Sequence, residues 1–138
     1  MWEIAWDIFN EHPTIGIGSG RYKKVVGNKI KSGNAPKINL SDHPHNEPLY
    51  ILVSLGIFGF LAYIFLYIST GYYFYSSLIR SNTKQIKYLS TLGLMTVGSF
   101  FIFGLTNYSF GHQIMVTFFA VIVANLAGAL HSHEHEEL

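Results

Sequence analysis

Two tracts without a charged side chain decide what this chain can become. Between Glu47 and Arg80, and again between Lys87 and Glu134, there is no Asp, Glu, Lys or Arg. A helix on the outside of a water-soluble fold needs a polar, largely charged face. These tracts have none to give, and lipid is the solvent that suits them. Composition agrees: 12% of the residues are charged, against about 25% in ordinary soluble domains. At 138 residues the chain amounts to one domain or part of one.

Leu49 to Ile79 is apolar or aromatic almost throughout. About 20 residues cross a bilayer, so this stretch has length to spare for tilt or an exposed end. Tyr63, Tyr67, Tyr72, Tyr73 and Tyr75 crowd its later half as an aromatic belt would. Tyr88 to Thr106 and His112 to Leu130 are two further spans, and Asn107 to Gly111 is the turn between them. The expected fold is therefore an all-α membrane protein. About three transmembrane helices (49–130) follow a polar segment (1–48) holding an amphipathic helix and a basic extracytoplasmic loop. A His/Glu tail (131–138) closes the chain. Asn107, His112 and Asn125 are read as packing residues, because buried polar groups in a membrane face other helices.

In the polar segment, Met1 to His12 has helical period. Trp2, Ala5, Trp6 and Phe9 share one side, with Glu3, Asp7, Asn10 and Glu11 on the other. Pro13 ends it. Two tryptophans suit a membrane interface, though a packed surface helix has the same pattern. Glu3 and Asp7 stand where a secretory signal would be positive. Thr14 to Leu40 is rich in Gly, Lys and Asn, lacks sustained period, and is read as a loop. It carries six of the nine basic residues: Arg21, Lys23, Lys24, Lys29, Lys31 and Lys37.

Charge alone gives a conflicted topology. The positive-inside rule pulls both the Arg80–Lys87 loop and the six-charge segment inward, yet an odd number of spans separates them. The short 80–87 loop, charged directly at two membrane ends, is assigned to the inside. The basic segment is then outside, where a lipid-linked phosphate would give it a purpose. With no cysteine there is no disulfide, iron–sulfur or thiolate-zinc framework.

The densest polar cluster is His43, His45, Asn46 and Glu47, at a helix entrance where Ser41 or Asp42 can cap and Pro44 or Pro48 can sit in the first turn. Such an end offers free N–H groups and a field that favours anions and a neutral imidazole. A histidine there can act as general base, or the cluster can simply cap the helix. Gly16, Gly18 and Gly20 form GIGSG, a run whose amides can converge on a phosphate or make a flexible turn. Arg21, Lys23 and Lys24 follow; they can pair with phosphate oxygens or with anionic headgroups. The alternating His131, His133 and His135 are read as a solvated tail rather than a metal site.

Two segments together resemble the O-antigen ligase and polymerase superfamily of bacterial envelope glycosyltransferases. The first, WEIAWDIFNEHPTIGIGSGRY (Trp2 to Tyr22), looks like the family's helix followed by a Pro–x–x–Gly–x–Gly–x–Gly turn. The second, HPHNEPLYILVSLGIFGFLAYI (His43 to Ile64), looks like its His–Asn–Glu entrance to a transmembrane helix, with the Leu55, Gly56 and Gly59 run. The resemblance implies a multi-pass enzyme of the bacterial cytoplasmic (inner) membrane with its site on the outer face. Its substrate would be an undecaprenyl diphosphate-linked glycan, delivered to a glycan or lipid acceptor among membrane lipids. No nucleotide sugar, metal or other cofactor and no nucleic acid is implied. His45 takes the catalytic position; His43, Asn46, Glu47, Arg21, Gly18 and Gly20 are the expected substrate-binding residues. Family proteins have many more spans and further arginines ahead of this region. The expectation is thus a carboxy-terminal region, with other helices from a longer chain or a partner chain. The rival readings are a non-catalytic membrane fragment or assembly subunit, and a transporter component, which the absence of charge within the spans disfavours.

Overall fold

A computed structural model describes residues 1–108 and 112–136, the last three by backbone alone. Five helices follow in order: α1 (Trp2–Glu11), α2 (Tyr22–Lys31), α3 (Glu47–Arg80), α4 (Lys84–Thr106) and α5 (Gln113–Glu136). No strand occurs among the described residues. Three of the helices, α3, α4 and α5, are long and apolar enough to cross a membrane. The expected all-α membrane architecture is present. The chain forms two compact units: Met1–Ile64 with Gly104–Tyr108, and Phe65–Phe103 with the last helix.

The core of the first unit is Ile4, Ala5 and Ile8 of α1, Tyr22 and Val26 of α2, and Tyr50 and Val53 of α3. On α1 the expected apolar side divides: Ala5 is buried and Phe9 half-buried against the core, and two residues outside that set join them. Ile4 and Ile8, one turn apart with Ala5 between, fill the core, while Trp2 and Trp6 are more than half exposed. Branched aliphatic side chains fit this small core, and the two indoles flank it.

The stretch read as a loop contains α2. Val25, Val26 and Gly27 lower its intrinsic propensity, and the lysines hide its apolar stripe. Tyr22 and Val26, at i and i+4, nevertheless dock into the core and make the helix worth forming. Its end is explicit in Ser32-Gly33-Asn34. Gly33 adopts φ 78°, its N–H donates to the Ile30 carbonyl, and the Asn34 N–H donates to that of Lys29. This is a Schellman closure, with Lys29 and Lys31 in the last turn favoured by the helix dipole.

Helix α3 is broken. Gly56 has φ 67° and ψ −165°, a conformation open to glycine and costly to other residues. In an unbroken helix the Ile57 N–H would donate to the Val53 carbonyl, and the Phe58 N–H to that of Ser54. Instead the Val53 carbonyl accepts from the Ile17 N–H and the Ser54 carbonyl from the Gly18 N–H, while the Ile57 N–H donates to the Pro13 carbonyl, each at 2.9 Å. The Pro13–Gly18 turn thus stitches the break. Backbone touches backbone there: a Cβ on Gly16 would lie 2.5 Å from the Ser54 carbonyl carbon, and one on Gly56 would collide with the Thr14 carbonyl. The break folds the helix back on itself. Sixteen residues of straight helix span about 24 Å, yet the Tyr63 hydroxyl donates to Glu47 Oε2 at 3.4 Å.

In the second unit several side chains bond their own helices, while the Tyr73 hydroxyl donates to the Ala127 carbonyl of α5 at 3.4 Å. Hydroxyls of Thr70, Thr91 and Thr117 donate to the carbonyls of Leu66, Lys87 and Gln113 one turn back, at 2.7–2.8 Å, as a lipid solvent requires. Asn125 does the same to Val121 at 2.7 Å and is exposed on this chain. Tyr67 packs against Phe101 and Phe119, and Phe119 against Phe100, with centroids 5.1–5.8 Å apart. Phe74 lies against Gly93, where a Cβ would enter its ring. Small residues admit such close approach between membrane helices. Only residues 81–83 join α3 to α4, shorter than the loop expected. Helix α5 runs on to Glu136, since nothing between Leu130 and Glu136 breaks it. The part of the turn at 109–111 and the His135 side chain lie outside the described residues.

Candidate functional site

The site is built where the chain enters α3. Asn46, not Ser41 or Asp42, is the N-cap: its Oδ1 accepts the Leu49 N–H at 2.9 Å. Its Nδ2 donates to the Leu105 carbonyl at 3.0 Å, so both ends of the amide are engaged within the protein. Pro48 sits in the first turn as expected, whereas Pro44 lies before the helix and its carbonyl accepts the Trp2 indole N–H at 2.8 Å.

His45 stands just before the cap. Among the described residues it is the only non-glycine with positive φ, 55°. That left-handed conformation costs a residue with a Cβ about 1–2 kcal/mol. It is held there locally: the His45 N–H donates to His43 Nδ1 at 3.3 Å. Because Nδ1 accepts, the ring proton of neutral His43 resides on Nε2. The two imidazoles meet edge to face at 4.5 Å. His45 Nε2 faces Ser41 Oγ at 3.4 Å, and the side chain is otherwise exposed. Non-glycine residues held this way concentrate at functional sites.

Glu47 is turned away from this surface. It is fully buried, with Tyr63 and the backbone at Gly104 beside its carboxylate, and it sits in the first turn of α3, where the helix dipole favours an anion.

Gly18 and Gly20 adopt φ 90° and 74°, as a tight turn requires, but their amides do not converge outward. The Gly18 N–H goes to Ser54, and the Gly20 N–H donates to the Tyr50 hydroxyl at 3.2 Å. The phosphate-nest reading of these amides gives way to a structural one. Arg21 is exposed at the start of α2 with its side chain over Gly18, and among the described residues it forms no ion pair. Lys23 pairs with Asp42 at 3.2 Å and Lys29 with Glu11 at 2.6 Å.

An unanticipated feature links these pieces. Tyr22, Tyr50, Tyr108, His43 and His45 form one file of rings, with successive centroids 6.2, 4.3, 4.8 and 4.5 Å apart. The sequence pattern places Tyr108 only in a turn. Nothing in its local pattern marks it, because its partners lie far away in sequence. At the buried end, desolvation pushes the Tyr22 phenol up to about 12. Burial, then the hydroxyl of Tyr50, raises Tyr108 as well. Both phenols stay protonated. No group of three or more potential metal ligands occurs among the described residues.

Residues 1–64 match the family model described as O-antigen ligase. The resemblance carried by the two motifs therefore holds over that segment, which coincides with the main stretch of the first compact unit. A curated relative from Haemophilus influenzae, named an uncharacterized protein, is 32% identical over 111 residues, 80% of this chain and 27% of the relative. The chain thus spans about a quarter of the length of that relative. These findings describe an all-helical chain with three helices long and apolar enough to cross a membrane, whose residues 1–64 match the O-antigen ligase family model.

Proposed function

We propose that this chain is the carboxy-terminal part of an O-antigen ligase/polymerase-type glycosyltransferase acting in cell-surface polysaccharide biosynthesis. The enzyme moves a glycan from an undecaprenyl diphosphate carrier to a glycan or lipid acceptor at the outer face of the bacterial inner membrane. Segment 1–48 faces outward. An acceptor hydroxyl oxygen attacks the first carbon of the donor glycan. The bond from that carbon to the carrier's diphosphate breaks, and the diphosphate leaves with the electron pair. His45 takes the hydroxyl proton, and Arg21 balances charge on the leaving group. Asn46 and Glu47 act by holding the α3 entrance that presents His45.

The observation that carries this reading is the exposed His45 imidazole on a left-handed backbone, clasped by His43. Two variants test it in cells, read as the ladder of surface glycan. His45→Ala should abolish transfer. His45→Gly should abolish it too, while leaving thermal stability unchanged or raised by up to about 1 kcal/mol, because glycine relieves the strained φ. Wild-type ladders in both variants would leave a non-catalytic assembly role instead.

A further inference from the structure

The first unit is completed by Gly104–Tyr108, a short stretch from outside the family-matched residues. It touches the neighbours of His45 on both sides. Before His45, the Tyr108 ring lies 4.8 Å from that of His43. After it, the Leu105 carbonyl accepts from Asn46. His45 is therefore suspended between two residues, each braced by the same five-residue stretch. Tyr108 is braced in turn by Tyr50, with centroids 4.3 Å apart and their hydroxyls hydrogen-bonded. The Tyr50 oxygen also accepts the Gly20 N–H, next to Arg21.

We propose that Tyr108 is a positioning residue for the His43–His45 pair, and that Tyr50 ties this pair to the Gly18–Arg21 turn. The inference rests on the glycan-transfer reading for its kinetic consequences, but not for its geometry. A ring on one face of His43 fixes the imidazole plane. That plane aims Nδ1 at the His45 N–H, and this bond holds the left-handed backbone. Loss of the ring frees His43, and His45 relaxes toward ordinary φ without any change in the groups that contact substrate. The protonated Tyr108 phenol suits this role: a neutral hydroxyl bonds Tyr50 without placing a charge beside the histidines.

The test uses the full chain in detergent or nanodiscs, and transfer by the whole enzyme that contains it. In the wild-type chain, the ring proton between the two nitrogens of His43 should resonate upfield of its counterpart in exposed His12, from the Tyr108 ring current. Tyr108→Leu should erase that shift and lower kcat about tenfold or more, with KM for the carrier-linked glycan within about twofold. Tyr108→Phe keeps the ring and should restore kcat to within about twofold. Tyr50→Phe should instead raise KM about threefold with kcat nearly unchanged. Loss of stability in Tyr108→Leu with kcat per folded molecule unchanged would reduce Tyr108 to core packing. An unshifted His43 signal in the wild type overturns the geometry even if no variant folds. If His45→Ala transfers normally while the His43 shift behaves as stated, the glycan-transfer reading fails and the positioning of the pair stands.

Discussion

In the first unit, the backbone groups freed at Gly56 are satisfied by a turn far away in the chain. In the second, the threonines and Asn125 bond to the helix that carries them. The first unit depends on long-range pairing between short pieces: two ten-residue helices, a glycine turn, a helix arm and the stretch Gly104–Tyr108. The second consists of helices that could each persist alone in lipid and associate by aromatic and small-residue packing. Positive-φ strain and most of the polar side chains with distant partners, the marks of a working site, gather in the first, with Tyr73 bonded to Ala127 in the second. One change there should spread through the unit, whereas one change in the second should stay local.

The sharpest way to break this contrast is Gly56→Val. A β-branched residue resists positive φ, and its Cβ enters the Thr14 carbonyl. The expected loss is about 4 kcal/mol or more, seen as rapid proteolysis within residues 13–46 while helicity from α4 and α5 persists. Survival of the 13–46 segment would show that the stitch is dispensable.

Next is Asn46→Ala, which removes both the cap and the link to Leu105. It should cost about 1–2 kcal/mol, measured by thermal unfolding in detergent. Asn46→Asp keeps the cap and should recover about half of that.

An effect confined to alkaline pH, and absent near neutrality, is expected at Tyr22. Burial raises the Tyr22 phenol from 10 to about 12 in the folded chain, so folding retains a proton that the unfolded chain releases. Its contribution is complete below pH 10 and is lost as pH rises from 10 through 12. Tyr22→Phe should unfold less steeply than wild type across that window and match it, or slightly exceed it, near neutrality. The Tyr22 hydroxyl is buried without a hydrogen-bond partner among the described residues, so deleting it leaves nothing unsatisfied.

The smallest effect belongs to the second unit. Thr91→Val and Thr117→Val should each change stability by less than about 0.5 kcal/mol, since the lost hydroxyl served only its own helix. A loss comparable to that of Asn46→Ala would erase the distinction between the units.

The sequence by itself determined the solvent and the three apolar helices, because charge-free tracts have only one low-energy surrounding. It also marked its two motifs, whose residue order is complete within a few positions. It did not reveal α2, whose stripe of Tyr22 and Val26 has meaning only against a core supplied by α1 and α3. It did not reveal the break at Gly56, because glycine permits a left-handed backbone but does not demand one; the Pro13–Gly18 turn supplies the demand. His45 was legible as a residue type in a motif. Its clasp by His43, and the ring that Tyr108 lays against that clasp, came only from tertiary structure, since no local pattern records a contact between residues so far apart in the chain.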